Sequence, residues 1–410
     1  MGRLFGTDGA RGVAITELTC ELAMQIGRAA ALVLTKEAKH KAKIVIGKDT
    51  RISSDILEAA LCAGICSVGA DAVQLGVIPT PGVAYLVRSM GADAGVMISA
   101  SHNSVEFNGI KLLASTGYKL PDAVEEEIEA LILDTPEKIT LQSHTNVGRM
   151  ERYEHAKEDY IQHILESVPT RFDGMKIALD CANGSASATA ETLFTALGAE
   201  VCMLRAEPDG TNINDHCGST HMEQLMAYVP AHGCQLGLAF DGDADRCLAV
   251  DETGKVVDGD QMIAICAKAL KASGKLEKDT AVTVMTNLGF FHFTKREGIH
   301  TIATKVGDRY VLEEMKKGGY CIGGEQSGHI IFLEHATTGD GELSGAKLVE
   351  IVKQSGKKLS ELAGEMETFP QQMQNVRITA DQRNRWKEDE AVCSVMKQYE
   401  ERLGEDGRIL

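Results

Sequence analysis

Three aspartates at alternate positions, Asp241, Asp243 and Asp245, are separated only by Gly242 and Ala244 and followed by Arg246. Three carboxylates in so small a volume repel one another unless a cation lies among them. Hard oxygen donors of this kind suit Mg²⁺, which keeps its other coordination positions for water or a phosphate oxygen. The loop therefore calls for a phosphate supplied from elsewhere in the chain. The same spacing imitates an EF-hand calcium loop, with Glu252 at its twelfth position. The imitation fails at the sixth position, where the turn needs Gly and this chain has Arg246, and both flanks read as strands instead of helices.

A second segment supplies a candidate phosphate carrier. Ala94-Gly95-Val96-Met97-Ile98 reads as a buried strand, so Ser99, Ser101, His102 and Asn103 fall where that strand runs out into a loop. A serine is a poor nucleophile without a base, a metal or a good phosphoryl donor. His102 is adjacent, and Lys111 lies ten residues on. Taken alone, Ser-His-Asn is more often an ordinary polar loop whose hydroxyl caps the next turn. A third polar stretch, Glu325-Gln326-Ser327-Gly328-His329, lies between two apolar runs and reads as a tight turn in which Gly328 permits close backbone approach. Its carboxylate and hydroxyl suit neighbouring sugar hydroxyls, or else satisfy only local backbone.

Five ordered motifs together resemble the α-D-phosphohexomutase family, and within it the bacterial phosphoglucosamine mutases: Gly6 to Gly12, Gly47 to Arg51, Ile98 to Asn103, Asp241 to Arg246, and Gly324 to His329. The likeness runs along essentially the whole chain. It implies that phosphorylated Ser101 donates to a sugar phosphate, that the bisphosphorylated sugar turns round in the site, and that its other phosphate returns to Ser101. Mg²⁺ would be held by Asp241, Asp243, Asp245 and a phosphate oxygen on Ser101, neutralising the moving group. Glucosamine 1,6-bisphosphate or glucose 1,6-bisphosphate would serve as activator. Glu325 and Ser327 match the residues that grip the sugar, with Gly307 and Arg309 as further substrate contacts. Arg11, Lys111 and Arg246 match cleft cations near the transferring phosphate, with His102 beside the nucleophile. His329 and Lys111 both stand as groups for proton transfer, since that choice depends on geometry. Gln326, where relatives acting on mannose or glucose phosphates more usually have Met, tilts the expectation toward an amino sugar. The same chemistry on mannose or glucose phosphates, a metal-dependent phosphatase, and a non-catalytic sugar-phosphate sensor are the alternatives.

Composition fits a large soluble enzyme. The 410 residues exceed one ordinary core. A net charge of −17 disfavours nucleic acid and anionic membrane as partners, so cations must be focused locally to hold a phosphorylated substrate. Eleven scattered cysteines without Cys-x-x-Cys pairs argue for reduced thiols. No apolar stretch approaches membrane-spanning length and no signal peptide precedes the first motif, so the expected location is the cytoplasm. A homodimer is implied by the resemblance alone.

The elements that must position these residues repeat: short β-branched runs followed by longer helical patterns, the mark of α/β layers. Helices are expected from about 19 to 36, 54 to 68, 188 to 197 and 261 to 272, with strands at 44–46, 72–75, 176–180, 200–204 and 281–285. The expected fold is thus three similar α/β domains with mixed, largely parallel sheets around a central cleft, at 1–150, 151–253 and 254–366, each delivering one functional loop. Residues 367–410 read as an incomplete α+β domain, with a strand at Asn375-Val376-Arg377-Ile378 and a helix from about Lys387 to Leu403. The family's Arg-, Ser-, Gly- and Thr-rich phosphate-clamping loop, expected at about this point, is not found before Leu410, which bears on affinity more than on the chemistry.

Overall fold

A computed structural model describes residues 3–409 other than 7, 37, 277, 278, 375, 380, 381, 383, 384, 405 and 406. Its first sheet has seven strands: β1 (Phe5–Gly6), β2 (Gly9–Val13), β3 (Lys43–Lys48), β4 (Asp71–Val77), β5 (Ala94–Ile98), β6 (Phe107–Ala114) and β7 (Met150–Arg152), in the order β1-β2-β6-β5-β3-β4-β7. Pairings among β5, β3, β4 and β7 are parallel, while β6, β2 and β1 extend the sheet antiparallel. Strand β7 runs across the boundary expected at residue 150. Helices Cys20–Leu34 and Ile52–Ser67 cover one face, the first capped by the Thr19 hydroxyl accepting from Leu22 N at 3.1 Å. Their backbones meet closely because of Gly64, where a Cβ would stand 2.2 Å from the Met24 carbonyl oxygen.

The second sheet holds β8 (Lys176–Asp180), β9 (Glu200–Leu204), β10 (Leu236–Phe240), β11 (Cys247–Asp251) and β12 (Val256–Val257), ordered β12-β11-β10-β8-β9. The third holds β13 (Thr280–Thr283), β14 (Thr301–Thr304), β15 (Ile322–Gly324) and β16 (Ile330–Phe332), ordered β14-β13-β15-β16. Both have a parallel centre, and in both an antiparallel hairpin, β10–β11 or β15–β16, carries the polar loop singled out above. One apolar core is shared across all three sheets, joining Val45, Tyr160, Phe194, Phe240, Phe290 and Leu343. The three regions are thereby packed as one body, which a cleft assembled from all of them requires.

Expected helices and strands appear within a few residues of their positions, except that 188–197 divides into a 3₁₀ turn, Ser185–Ala188, and a short helix, Ala190–Ala196. Of the strand expected at 375–378, Asn375 lies outside the described residues, and 376–378 pair with no strand among the described residues. Helix Glu390–Leu403 is present, with no buried residue. All eleven cysteines are free thiols. Among the described residues no helix is long and apolar enough to cross a membrane.

Candidate active site

Ser101 sits three residues beyond β5 with φ +53°, a left-handed conformation that non-glycine residues rarely adopt. The surrounding structure holds it there. Asp49 and Arg51, just after β3, form an ion pair at 2.9 Å with neither side chain exposed. Arg51 Nη2 donates to the carbonyls of Ser101 at 3.0 Å and Asn103 at 2.8 Å, and Asn214 Nδ2 donates to the same two carbonyls at 2.9 Å each. Asp49 also accepts from Ser99 Oγ at 2.6 Å, and Ser99 Oγ in turn accepts from Ser101 N at 2.9 Å. The serine is thus buried and its loop tied at both backbone and side chain.

The β10–β11 hairpin brings the aspartates to this serine. Ser101 Oγ donates to Asp241 Oδ2 at 2.7 Å. One carboxylate oxygen from each of Asp241, Asp243 and Asp245 lies within 4.8 Å of the others, and all three residues are buried. At an effective dielectric near 20, two unit charges that close repel by about 3 kcal/mol. Burial and then Asp245 and Asp243 accordingly raise Asp241 well above the usual carboxylate range. Asp243 goes the other way: burial acts to raise it, but Lys111 Nζ at 2.7 Å and the Thr80 hydroxyl at 2.5 Å outweigh that and hold it down to about 2. Asp243 Oδ1 and Asp245 Oδ1 are buried without a hydrogen-bond partner. An oxygen left so costs on the order of 1–3 kcal/mol, and a divalent cation would satisfy both. The donor set of hard carboxylates fits Mg²⁺.

Backbone hydrogen bonds pin the same hairpin loop to all three regions. Gly242 O accepts from Ser185 N, Asp243 O from Thr80 N, and Ala244 O from Gly341 N. Lys111 faces the site from β6 because the antiparallel register sets it opposite Met97 and puts Arg11 of β2 opposite Gly109. Burial pulls the Lys111 ammonium pKa down, but Asp243, Asp8 and Asp245 raise it well above normal, so it remains charged. His102 is shifted down by burial, then by Arg246 and Arg11.

Above this floor lies a cleft of about 610 Å³ lined by Arg11, His102, Asp245, Arg246, Gly307, Arg309, Glu325, Ser327 and His329, so the expected residues from all three regions do converge. Ser101, Lys111, Asp241 and Asp243 are buried at its base. Glu325 Oε1 is fixed by the Gly307 backbone N–H at 3.1 Å. Arg309 is taken up by Asp122 and by Glu313, the latter at 3.1 Å. The Gln326 amide donates to Asp258 at 3.1 Å and does not line the cleft. Sequence reasoning missed several participants. Thr80, Asn214 and Lys119 stand in no pattern that marks them, while Asp8, Asp49 and Arg51 lay inside motifs, and Asp308 between Gly307 and Arg309, with tasks that only the packing reveals. Lys119 Nζ bridges Asp8 at 2.9 Å and Asp308 at 2.5 Å, linking the first region to the third.

Three family models match in order: phosphoglucomutase/phosphomannomutase alpha/beta/alpha domain I over residues 2–138, domain II over 158–254 and domain III over 258–369. The chain belongs to the phosphoglucomutase/phosphomannomutase family. Among curated relatives of that family, the phosphoglucosamine mutase of Acetivibrio thermocellus is 56% identical over 411 residues, spanning 100% of this chain and 92% of that protein. The phosphoglucosamine mutase of Clostridium acetobutylicum is 55% identical with the same coverage. Among solved structures, a phosphoglucomutase/phosphomannomutase family protein from Burkholderia thailandensis has a TM-score of 0.78 at 26% identity, covering 88% of this chain and 79% of that one. An Aspergillus fumigatus N-acetylphosphoglucosamine mutase, solved with GlcNAc-6P and magnesium, shares the fold with a TM-score of 0.62 at 15% identity, covering 90% of this chain and 80% of that one.

Proposed function

We propose that this protein is a phosphoglucosamine mutase that interconverts glucosamine 6-phosphate and glucosamine 1-phosphate through phosphorylated Ser101, with a bisphosphorylated sugar as intermediate, in the cytoplasm and as a homodimer. The observation that carries the reading is the contact of Ser101 Oγ with Asp241 at 2.7 Å, at the base of a cleft to which all three sheets contribute. Relatives named phosphoglucosamine mutase at 54–56% identity over the whole chain support the amino sugar. Structural neighbours such as the putative phosphomannomutase from Thermus thermophilus, 26% identical, support mannose or glucose phosphate as a second reading.

Asp241, Asp243 and Asp245 would hold Mg²⁺ together with a phosphate oxygen on Ser101. Bound there, the ion neutralises charge on the transferring phosphoryl group. The rest of the work falls to side chains. Arg11, Arg246 and the permanently charged Lys111 place positive charge around the same group, giving an acidic protein a local anion site. Lys111, held protonated, acts as a donor and charge partner. Glu325, oriented by Gly307, and Ser327 bind sugar hydroxyls and would accept either end of the substrate as the bisphosphate reorients. A bisphosphorylated hexose keeps Ser101 phosphorylated between turnovers.

Phosphorus NMR of Mg²⁺-loaded protein with glucosamine 6-phosphate and catalytic glucose 1,6-bisphosphate, run beside mannose and glucose 6-phosphates, tests this reading. Preferential growth of glucosamine 1-phosphate is expected. Faster conversion of either neutral hexose would establish the second reading, and release of inorganic phosphate in step with substrate loss would mark a phosphatase. Ser101→Ala is expected to lower turnover by more than about 1,000-fold with the fold intact.

A further inference from the structure

The β1–β2 hairpin stands at the edge of the first sheet, and its turn carries Asp8, which lines the cleft. Three cations gather on that carboxylate: it pairs with Arg11, takes Lys119 Nζ at 2.9 Å and lies 3.4 Å from Lys111 Nζ. The direction of the Arg11 guanidinium therefore depends on where this turn lies. On one side the hairpin is fixed by β6. Gly9, with φ +85°, runs so close to that strand that a Cβ would stand 2.4 Å from the Ile110 carbonyl oxygen.

On the other side no strand continues the sheet. β1 is two residues long, and an edge strand leaves backbone N–H groups without a ladder partner. One side chain takes them up. Glu129, in helix Asp122–Leu133, accepts from Leu4 N at 2.8 Å and Phe5 N at 2.7 Å through Oε1, and from Arg3 N at 2.9 Å through Oε2. Burial acts to raise its pKa, but the N–H groups of Phe5, Arg3 and Leu4 outweigh that and hold it below the ordinary value. The residue is 3% exposed, and Ile128 and Ile132 seat the same helix in the core of the first region. A second tie between the two elements, Arg3 with Asp134 at 2.6 and 2.8 Å, is exposed and contributes little.

We propose that Glu129 is a positioning residue: by holding the open edge of β1 it sets the hairpin turn, and with it the Asp8 carboxylate that aligns the Arg11 guanidinium for the transferring phosphoryl group. The effect on turnover rests on the mutase reading of the cleft; the clamp on β1 rests on the protein alone.

Two measurements separate these. In the first, hydrogen exchange of the hairpin amides is followed by mass spectrometry in protein free of substrate. Glu129→Ala should exchange there at least about tenfold faster than wild type, with helix Cys20–Leu34 unchanged; wild-type exchange in the hairpin overturns the clamp whatever the enzyme turns over. In the second, kcat/KM for the hexose phosphate that the protein converts is measured in a double-mutant cycle with Asp8→Asn. Glu129→Ala should lower it about 10- to 100-fold in the wild-type background and no more than about threefold once Asp8 is altered. Equal losses in the two backgrounds overturn the route through Asp8. Glu129→Gln keeps an acceptor at the place of Oε1 and should recover turnover to within about tenfold of wild type, whereas Asp134→Asn should stay within about twofold; a loss in Asp134→Asn as large as that in Glu129→Ala overturns the specific role of Glu129. Should Glu129→Ala fail to fold, Glu129→Gln carries the cycle, its smaller loss again confined to protein that keeps Asp8. Absence of turnover on every hexose phosphate would refute the mutase reading and leave the exchange result standing.

Discussion

Ser101 and the residues touching its partners set the chemistry, and the least obvious of them is Thr80. Its hydroxyl donates to Asp243 Oδ2 at 2.5 Å and its backbone N–H to the Asp243 carbonyl at 2.9 Å, so one residue at the start of helix Thr80–Ser89 orients a prospective metal ligand twice. Thr80→Val keeps the shape and removes only the hydroxyl. Apparent Mg²⁺ affinity, read from the metal dependence of turnover, is expected to weaken about 10- to 100-fold, with metal-free protein destabilised by about 1–3 kcal/mol through the lost hydrogen bond to a buried carboxylate. A variant titrating like wild type would mean that Lys111 alone suffices to hold the carboxylate.

At the scale of elements, the segment linking β3 to helix Ile52–Ser67 is a clamp on the serine loop. Arg51 is among the largest fully buried side chains, and its charge is matched by Asp49. Removing one member of a buried pair strands the other, so Asp49→Asn should destabilise the protein by about 3–5 kcal/mol, measured by urea denaturation. Ser99→Ala, which deletes two hydrogen bonds without stranding a charge, should cost about 2 kcal/mol. A second element carries a pH signature. Asp260, in the first turn of helix Gly259–Ala272, is fully buried and accepts from Asn287 N at 2.7 Å. Burial first, then Asp258, pushes its pKa up from 3.8 to about 7. Between these values the unfolded chain has released the proton and the folded protein keeps it, so the folded state loses stability as pH rises through this window and levels off above it. Asp260→Asn removes that loss. Its stability relative to wild type should grow from pH 4 to pH 7.5 by an amount on the order of 2–4 kcal/mol, and a gap independent of pH would refute the assignment.

For the molecule as a whole, the question is what keeps three regions at the spacing a shared cleft needs. The common apolar core fixes them from beneath. Across the cleft itself, Lys119 ties Asp8 of the first region to Asp308 of the third. With Lys119→Met, the Asp8 and Asp308 carboxylates lose the ammonium that joins them. The expected result is a larger radius of gyration by small-angle scattering and a kcat/KM lower by about 10- to 100-fold, each region keeping its helix content by circular dichroism. Unchanged scattering would place the closure in the core alone.

The sequence by itself determined the alternation of strands and helices, the three polar loops and the residues they present, because each is written within a few consecutive positions: an apolar run, then Ser101, the three aspartates, or Glu325 to His329. Periodicity and local charge suffice for that. Only the tertiary structure decided which side chains outside those loops support them. Asp49 and Arg51 stand some fifty residues before the serine they hold, Thr80 reaches Asp243 across 163 positions, and Lys119 reaches Asp308 across 189. Such pairs leave no mark of spacing in a chain. It also decided the direction of each charge, setting Asp241 above and Asp243 below the usual range although they are two residues apart in one loop. Strand register and packing place Lys111 against one and not the other, and no short-range pattern records that difference.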